Sequence, residues 1–472
     1  MGQFPGLAVV ARGRICPPAG FEERPISERW GPINPSERHR VLTTWRMTGG
    51  APSKRTARDE VWRLASRYNP GVSLSVYIHF PYCLQKCPYC DFASASIQRA
   101  DVPSSGYADA VLMELEERVA GFEKIPPLAS VFFGGGTPSL WEPRELGRVL
   151  TGIRSAFDQP HAGAGHQQAL EVTVECNPSS LDQARAAALR EAGVNRLSIG
   201  VQSLNNDRLR FLGRLHDRAS ALRAVAEAQS EMPRVSADLM FGMPGQSAGD
   251  FVAELEQLLA LEPAHLSIYA LTIEPSTQFG ALHRKGRLQL APDGDFAETF
   301  MRTHEVLSTI GFEHYEVSNY ARPGQASEHN LHYWRGGAYL GLGAGAVGCL
   351  HVTPPANSRK HACTREGRAR RYRNTPDPAT YGSAAVAPER EVFEEWLDSE
   401  ELTREALMLG LRTCEGVDLA ETETRLGRDP LVGRATSVEQ QRAIGNLVTE
   451  GHRMRVPYSR WLHLDSIIAS IF

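Results

Sequence analysis

At 472 residues, with 42% hydrophobic and 22% charged residues, the chain has room for one large α/β domain and one or two smaller ones, and its composition excludes a mainly disordered protein. A net charge of −4 supplies no global basic field, so neither a nucleic acid nor an anionic surface is advertised as a partner. The longest apolar run, residues 339–350, is broken by glycines and falls well short of the ~20 residues that a spanning helix needs.

Residues 1–70 carry twelve Lys/Arg against six Asp/Glu with little periodicity, and read as a basic, poorly ordered extension with a helix around 54–67. No charged-then-apolar secretory pattern opens the chain, and the acidic residues are too many for an organellar transit peptide. The expectation is a cytoplasmic protein without a transmembrane segment, with peripheral membrane contact left open. Five of the eight cysteines stand singly, which suits free thiols in a reducing compartment.

From residue 73 the pattern turns regular. Short β-branched runs at 75–80, 130–135, 170–176, 196–201, 235–241 and 265–271 alternate with helical patterns at 107–122, 143–157, 181–193, 219–230 and 250–262. Strand and helix in alternation imply parallel pairing with right-handed crossovers. Six units are too few for a closed eight-fold barrel, so the fold class is α/β, a partial (β/α)6 barrel. A helix at 296–310 and irregular Gly/Pro/aromatic sequence complete a domain over 71–350. Residues 351–390 read as a linker whose cluster of Arg365, Arg368, Arg370, Arg371 and Arg373 forms a solvated face. Residues 391–472 read as mostly helical, ending in the helix, turn, two strands, helix rhythm of a winged-helix-like unit. No basic recognition helix is evident there, so it reads as a packing domain.

The chemistry follows the strands. "SVYIHFPYCLQKCPYCDFAS" places Cys83, Cys87 and Cys90 on one loop after the first strand. Three thiolates can hold three corners of a [4Fe–4S] cube and leave the fourth iron open to a small molecule. S-adenosylmethionine offers amino and carboxylate groups for that iron, and one-electron reduction can then cleave its sulfonium. The alternative is zinc with His79 or Asp91 as fourth ligand, although no second Cys-x2-Cys knuckle exists to complete such a site. After the next strand, "FFGGGTPS" (132–139) lets backbone approach a ligand closely, with N–H groups available to its carboxylate and amino ends. Glu175, Gln202, Arg214 and Asp238 follow at or near successive strand ends. Each alone reads as a capping or surface group; four in series are harder to explain structurally.

Taken in order, "YIHFPYCLQKCPYCDF", "GGGTPS", "ECNPSS", "LSIGVQS", "LGR" and "ADLMFGMPGQ" resemble the radical S-adenosylmethionine family of oxygen-independent coproporphyrinogen III oxidase-like proteins, above all its heme chaperone branch. The resemblance runs from about residue 73 to the C-terminus. It implies a [4Fe–4S] cluster, bound S-adenosylmethionine, and binding positions at Tyr77, Tyr89, Gly135, Gly136, Thr137, Glu175, Gln202, Arg214, Asp238 and Ala270. The decarboxylating enzymes of the superfamily carry a further cysteine where this chain has Phe92, and the chaperone branch does not. "EHNLHYW" resembles the H-N-x-x-Y-W element associated with heme in that branch. His329 or His332 would supply an imidazole for iron, with Tyr333 and Trp334 as flat apolar faces. On residue types alone, these aromatics read equally as packing against the barrel mouth, with His329 hydrogen-bonding to backbone. Three functions therefore compete: a heme chaperone serving acceptor apoproteins, a coproporphyrinogen dehydrogenase or other radical enzyme of tetrapyrroles, and a protein with a structural metal. Either of the first two implies a one-electron donor as partner.

Overall fold

The computed structural model describes residues 73–122, 124–157, 170–351, 369–384 and 386–472. The basic extension over 1–70, its expected helix, and Arg365 and Arg368 lie outside these residues.

Six parallel strands appear where the β-branched runs placed them: β1 Leu74–Phe80, β2 Leu128–Gly135, β3 Glu171–Cys176, β4 Arg196–Gln202, β5 Arg234–Phe241 and β6 His265–Ala270. They neighbour one another in chain order. The crossovers run through α1 Ser104–Val119, α2 Pro143–Ala156, α3 Gln183–Glu191, α4 Arg218–Glu231 and α5 Ala248–Leu259. Strand period two divides the side chains between two faces. Val76, Ile78, Val131, Phe133, Val172, Val174, Leu197 and Ile199 join the main core with Val111, Val149 and Leu255 of the helices. The other face is unusually polar. Ser75 bonds Ser130 at 2.8 Å, Arg196 bonds Glu171 at 3.0 Å, and Ser198 bonds Asp238 at 3.0 Å, all across neighbouring strands of the inner wall. The fold is the expected α/β partial barrel, and its lumen is lined for polar chemistry.

The sheet does not stop at six strands. After α6 Asp293–Thr309 come β7 Glu313–Glu316 and β8 Asn319–Ala321, antiparallel additions beside β6. Then α7 Glu328–Trp334 leads into β9 Ala338–Leu342, which pairs parallel to β1, and antiparallel β10 Val347–His351, β11 Ala369–Asn374 and β12 Glu391–Leu397 extend that edge. The whole is a 12-stranded sheet.

This alters two expectations. Residues 311–350 are strand-rich rather than irregular, and 369–374 is a sheet strand rather than linker. The arginines of β11 are also not a solvated face. Arg370 pairs with Glu391 at 2.6 Å and Glu394 at 2.7 Å, and Arg371 with Glu395 at 2.7 Å and Glu405 at 2.6 Å. Antiparallel pairing sets acidic β12 against basic β11, so the charges find partners some twenty residues along the chain. Beyond β12, α8 Ser399–Gly410 opens the C-terminal segment. It ends in a helix Ala435–Ala443, short strands Val448–Glu450 and Arg453–Arg455, and a helix Leu464–Ser470, the rhythm read from the sequence.

Candidate functional site

The cysteine loop leaves the carboxyl end of β1. Cys83 is buried while Cys87 and Cys90 are part-exposed, and the Cys90 N–H donates to the Cys87 carbonyl at 3.1 Å, closing a tight turn. The loop is braced from outside by Lys86, whose ammonium donates to the Phe92 carbonyl at 2.9 Å. The Thr137 hydroxyl donates to Cys83 Sγ at 3.5 Å, and Arg214 Nη1 reaches Cys87 Sγ at 3.8 Å. Burial pushes the Cys90 thiol up to about 11, with Cys83 and Cys87 adding repulsion. Three thiols thus crowd one another with a guanidinium as counter-charge.

His79, a candidate fourth ligand, is occupied. Its Nδ1 bonds the Tyr77 hydroxyl at 3.0 Å and its Nε2 the Ala93 carbonyl at 2.7 Å. Asp91 accepts from the Ser276 hydroxyl. Among the described residues no three His, Cys, Asp or Glu side chains converge on a single-ion site. A cube ligated at three separate corners does not require such convergence.

The glycine run serves differently from expectation. The N–H groups of Gly136 and Thr137 donate to the carbonyls of Phe80 and Tyr82 at 2.7 and 2.9 Å, and Gly135 N–H donates to Glu175 Oε2 at 3.0 Å. Those donors are spent inside the protein, so what the glycines provide is close approach. A Cβ on Gly135, whose φ is +108°, would meet the His79 ring at 2.6 Å, and one on Gly136 would meet the Tyr82 carbonyl oxygen at 2.6 Å. The run clamps β2 against the root of the cysteine loop.

Glu175 and Asp238 face the same lumen. Burial, offset by the Gly135 N–H and reinforced by Asp238, raises the Glu175 carboxyl to about 8. Burial raises Asp238 to about 6, against the hydroxyls of Ser267 and Ser198. Gln202 holds a non-glycine φ of +66° at the end of β4, an uncommon conformation of the kind found at ligand clamps. Gly200 leaves room beside it: a Cβ there would meet Gln202 Nε2 at 2.6 Å. Arg214 Nη2 donates to the Gly200 carbonyl at 2.8 Å, and Tyr89 lies against both Arg214 and Cys87. Tyr77 is on the inner wall, stacked on Phe132, and Ala270 ends β6 opposite Phe241. Two buried polar atoms here, Thr173 Oγ1 and Arg214 Nε, have no protein partner among the described residues.

Comparison with known proteins decides the family. The radical SAM superfamily model matches residues 77–258 and the HemN C-terminal domain model matches 397–458. The chain is 34% identical over 442 residues to the radical S-adenosyl methionine domain-containing protein 1, mitochondrial, of Danio rerio, covering 92% of this chain and 94% of that one. It is 41% identical over 277 residues to the heme chaperone HemW of Escherichia coli strain K12, covering 58% and 70%. The chain belongs to the HemN-like radical SAM family, on its HemW branch. The solved coproporphyrinogen III oxidase HemN of Escherichia coli superposes with a TM-score of 0.69 at 19% identity over 88% of this chain and 93% of that one, which shows a shared fold.

Radical SAM membership implies a [4Fe–4S] cluster and S-adenosylmethionine. The donor set fits both groups: three thiols without a competing fourth ligand, then two under-compensated carboxylates and two unpartnered polar atoms within the same lumen.

The 329–334 element lies elsewhere. Helix α7 closes the opposite, amino-terminal end of the barrel rather than its mouth. His329 is 1% exposed, stacked on Phe132 with centroids 4.8 Å apart, its Nδ1 bonded to Ser130 at 2.7 Å and its Nε2 buried without a partner among the described residues. His332 Nε2 bonds the Ala338 carbonyl at 2.7 Å. The buried Trp334 hydrogen-bonds Glu316, and Tyr333 stands edge-on to His329 and Tyr339. Sequence reading overlooked Ser198 and Ser267, which hold Asp238, and offered His79 only as an alternative zinc ligand, whereas it ties Tyr77 to the cysteine loop. Their inward strand positions were the available signal.

Proposed function

We propose that this chain is a heme chaperone of the HemW type, carrying a [4Fe–4S] cluster on Cys83, Cys87 and Cys90 and S-adenosylmethionine across the strand ends. Tyr77, Tyr89, Gly135, Gly136, Thr137, Glu175, Gln202, Arg214, Asp238 and Ala270 form that second site. The observation that carries the cofactor reading is the carboxylate pair Glu175 and Asp238, buried in one lumen with the three thiols and held above the ordinary carboxylate range even with the Arg214 guanidinium acting on Asp238. A sulfonium and an ammonium would relieve both groups. When bound and reduced, the cluster supplies one-electron chemistry to a sulfonium. The residues here fix its surroundings: Arg214 offsets thiolate charge at Cys87, Thr137 orients Cys83, and the Gly135 N–H holds Glu175 turned inward.

Heme is received near the 329–334 element and handed to acceptor apoproteins, and an electron donor reduces the cluster. The relatives named heme chaperone HemW support this reading, as does Phe92 in place of the extra cysteine of the decarboxylating enzymes. The second reading, a coproporphyrinogen dehydrogenase, has the shared HemN fold in its favour. No helix among the described residues is long and apolar enough to cross a membrane, and the free thiols fit a reducing cytoplasm. Mass spectrometry of the cluster-reconstituted protein after incubation with coproporphyrinogen, reductant and S-adenosylmethionine separates the two. The chaperone reading expects unchanged substrate; a product lighter by two carboxyl groups would replace it with the enzyme.

A further inference from the structure

The cysteine loop is backed by a short helix, Gln278–Arg284, that follows β6. Phe279 anchors it: its N–H donates to the Pro88 carbonyl at 3.0 Å, and its buried ring stands 6.3 Å from that of Tyr89 and 4.7 Å from that of Phe211. With that face spent on the loop, the turn beyond is left outside. His283, Arg284, Lys285 and Arg287 are all exposed, and residues 275–292 contain no Asp or Glu. At 1.5 Å of rise per residue the helix carries Lys285 only about 9 Å along from Phe279, so these charges flank the cysteine loop.

Other cations join them. Lys86, exposed on the loop itself, donates to the carbonyls of Phe92 and Ser94 at 2.9 and 3.5 Å. Arg99, also exposed, donates at 3.4 Å to the carbonyl of Ser179, which lines one depression with Cys87. Arg284 donates to the Pro275 carbonyl at 2.6 Å. Among the described residues none of these side chains, nor Lys285 or Arg287, pairs with a carboxylate, whereas Arg370, Arg371 and Arg390 all do. Asp91, the acid of the loop, is engaged by the Ser276 hydroxyl. Leu215, 53% exposed, adds an apolar contact on the rim of the same depression. The chain as a whole carries −4, so this face is opposite in sign to the rest.

Scattered surface cations need no partner, but these gather without counter-ions beside the thinnest cover over the thiols, where Cys87 and Cys90 are part-exposed. An electron delivered to a cluster on that loop crosses this cover. Transient redox partners meet through small interfaces, in which complementary charge steers the encounter and sets the orientation. We propose that Lys86, Arg284, Lys285 and Arg287, with Leu215 as apolar contact, dock the acidic face of a one-electron carrier protein. What crosses is one electron, lost by the carrier and gained by the cluster, with no bond made or broken. The inference rests on the cluster reading and is independent of heme. RNA fits this face less well, because bases stack on aromatic rings and none is exposed among these cations. The exposed rings among the described residues, Phe393, Trp396 and Phe472, lie elsewhere in the chain.

The test gives full-length, cluster-loaded protein a flavodoxin, a small acidic one-electron carrier, under anaerobic conditions. Calorimetry with the oxidised carrier reads binding, and stopped-flow bleaching of the cluster absorbance reads reduction by the reduced carrier. Lys285→Glu/Arg287→Glu is expected to lower affinity and second-order reduction rate at least about tenfold at ~0.01 M salt, where the screening length is ~30 Å. The difference should close near ~1 M salt, where that length is ~3 Å. Reduction by the methyl viologen radical cation, which needs no basic face, should be undiminished, and iron content unchanged. Arg302→Glu/Arg460→Glu, the same charge change at exposed positions outside the face, is expected to fall well short of the loss. Flavodoxin binding and reduction that hold in the first variant, or drop equally in the second, would overturn the proposal. So would a matching loss with methyl viologen, or a wild type that methyl viologen reduces and flavodoxin neither binds nor reduces. A single-stranded RNA that binds wild type and is lost in the first variant, while flavodoxin affinity holds, would replace the carrier with a polyanion. Wild type that takes up no iron would remove the cluster reading, and this assignment with it.

Discussion

Glu175 offers a sharp test of the strand-end site. Its carboxyl sits at about 8 in the ligand-free protein against an ordinary value of 4.5, because burial disfavours the charge and Asp238 adds repulsion. Ionising it in place costs at most about 5 kcal/mol at 1.36 kcal/mol per pH unit, trimmed by water in the open mouth. A cationic ligand reverses that balance and so releases a proton on binding. The sign follows: affinity for S-adenosylmethionine rises with pH while Glu175 titrates, from about 1% ionised at pH 6 to half at pH 8. That is a gain of up to about fiftyfold, flattening above pH 8. Asp238, at about 6, contributes mainly at the lower edge of this window. Calorimetric titration in two buffers of different ionisation enthalpy, between pH 6 and 8.5, reads both affinity and proton release. Glu175→Gln should flatten the profile and lower the affinity at pH 8 by about ten- to a hundredfold. A wild-type affinity that is flat or falls with rising pH would refute the reasoning.

Other consequences are as concrete. Replacing Cys83, Cys87 and Cys90 by Ala should remove about four irons per chain after anaerobic reconstitution, read by iron and sulfide assay; equal iron in both proteins would remove the loop from the site. Gly135→Ala should destabilise by about 2–4 kcal/mol in urea unfolding, combining an unfavourable φ of +108° with a Cβ driven into the His79 ring. Arg118, 2% exposed, bonds Glu114, Asn374 and Glu391 and so ties α1 to the sheet extension. Arg118→Ala should cost about 3–5 kcal/mol by the same measurement, as expected when one partner of a buried ion pair is removed.

Much of the barrel is legible in the sequence because its signals are local. Six β-branched runs mark β1 to β6 to within about two residues, and the cysteine loop and carboxylates follow directly from strand ends. The sheet extension is hidden because its determinants are not local. β9 reads as irregular since its glycines answer to packing: a side chain at Gly341 would strike the Val347 carbonyl, and one at Gly348 the Tyr372 ring. Nothing in "GAYLGLGAGAVG" announces those neighbours. Arg370 and Arg371 look solvated until β12 brings Glu391, Glu394 and Glu395 alongside. Likewise the N–H groups of the glycine run seem available to a ligand until Phe80, Tyr82 and Glu175 are seen to accept them. Position 329 shows the same limit: the sequence names an imidazole, and only the fold reveals that it faces Ser130 and Phe132.

The central claim is that this molecule handles heme without transforming a porphyrinogen, and stoichiometry tests it most directly. Cluster-loaded protein is charged with one equivalent of hemin, mixed with an apo-acceptor such as an apocytochrome b, and both proteins are separated and scanned. The account predicts about one heme retained per chain before mixing, its passage to the acceptor afterwards, and no carbon dioxide released from coproporphyrinogen under reducing conditions with S-adenosylmethionine present. Multiple-turnover release of carbon dioxide, with no heme retained, would contradict it.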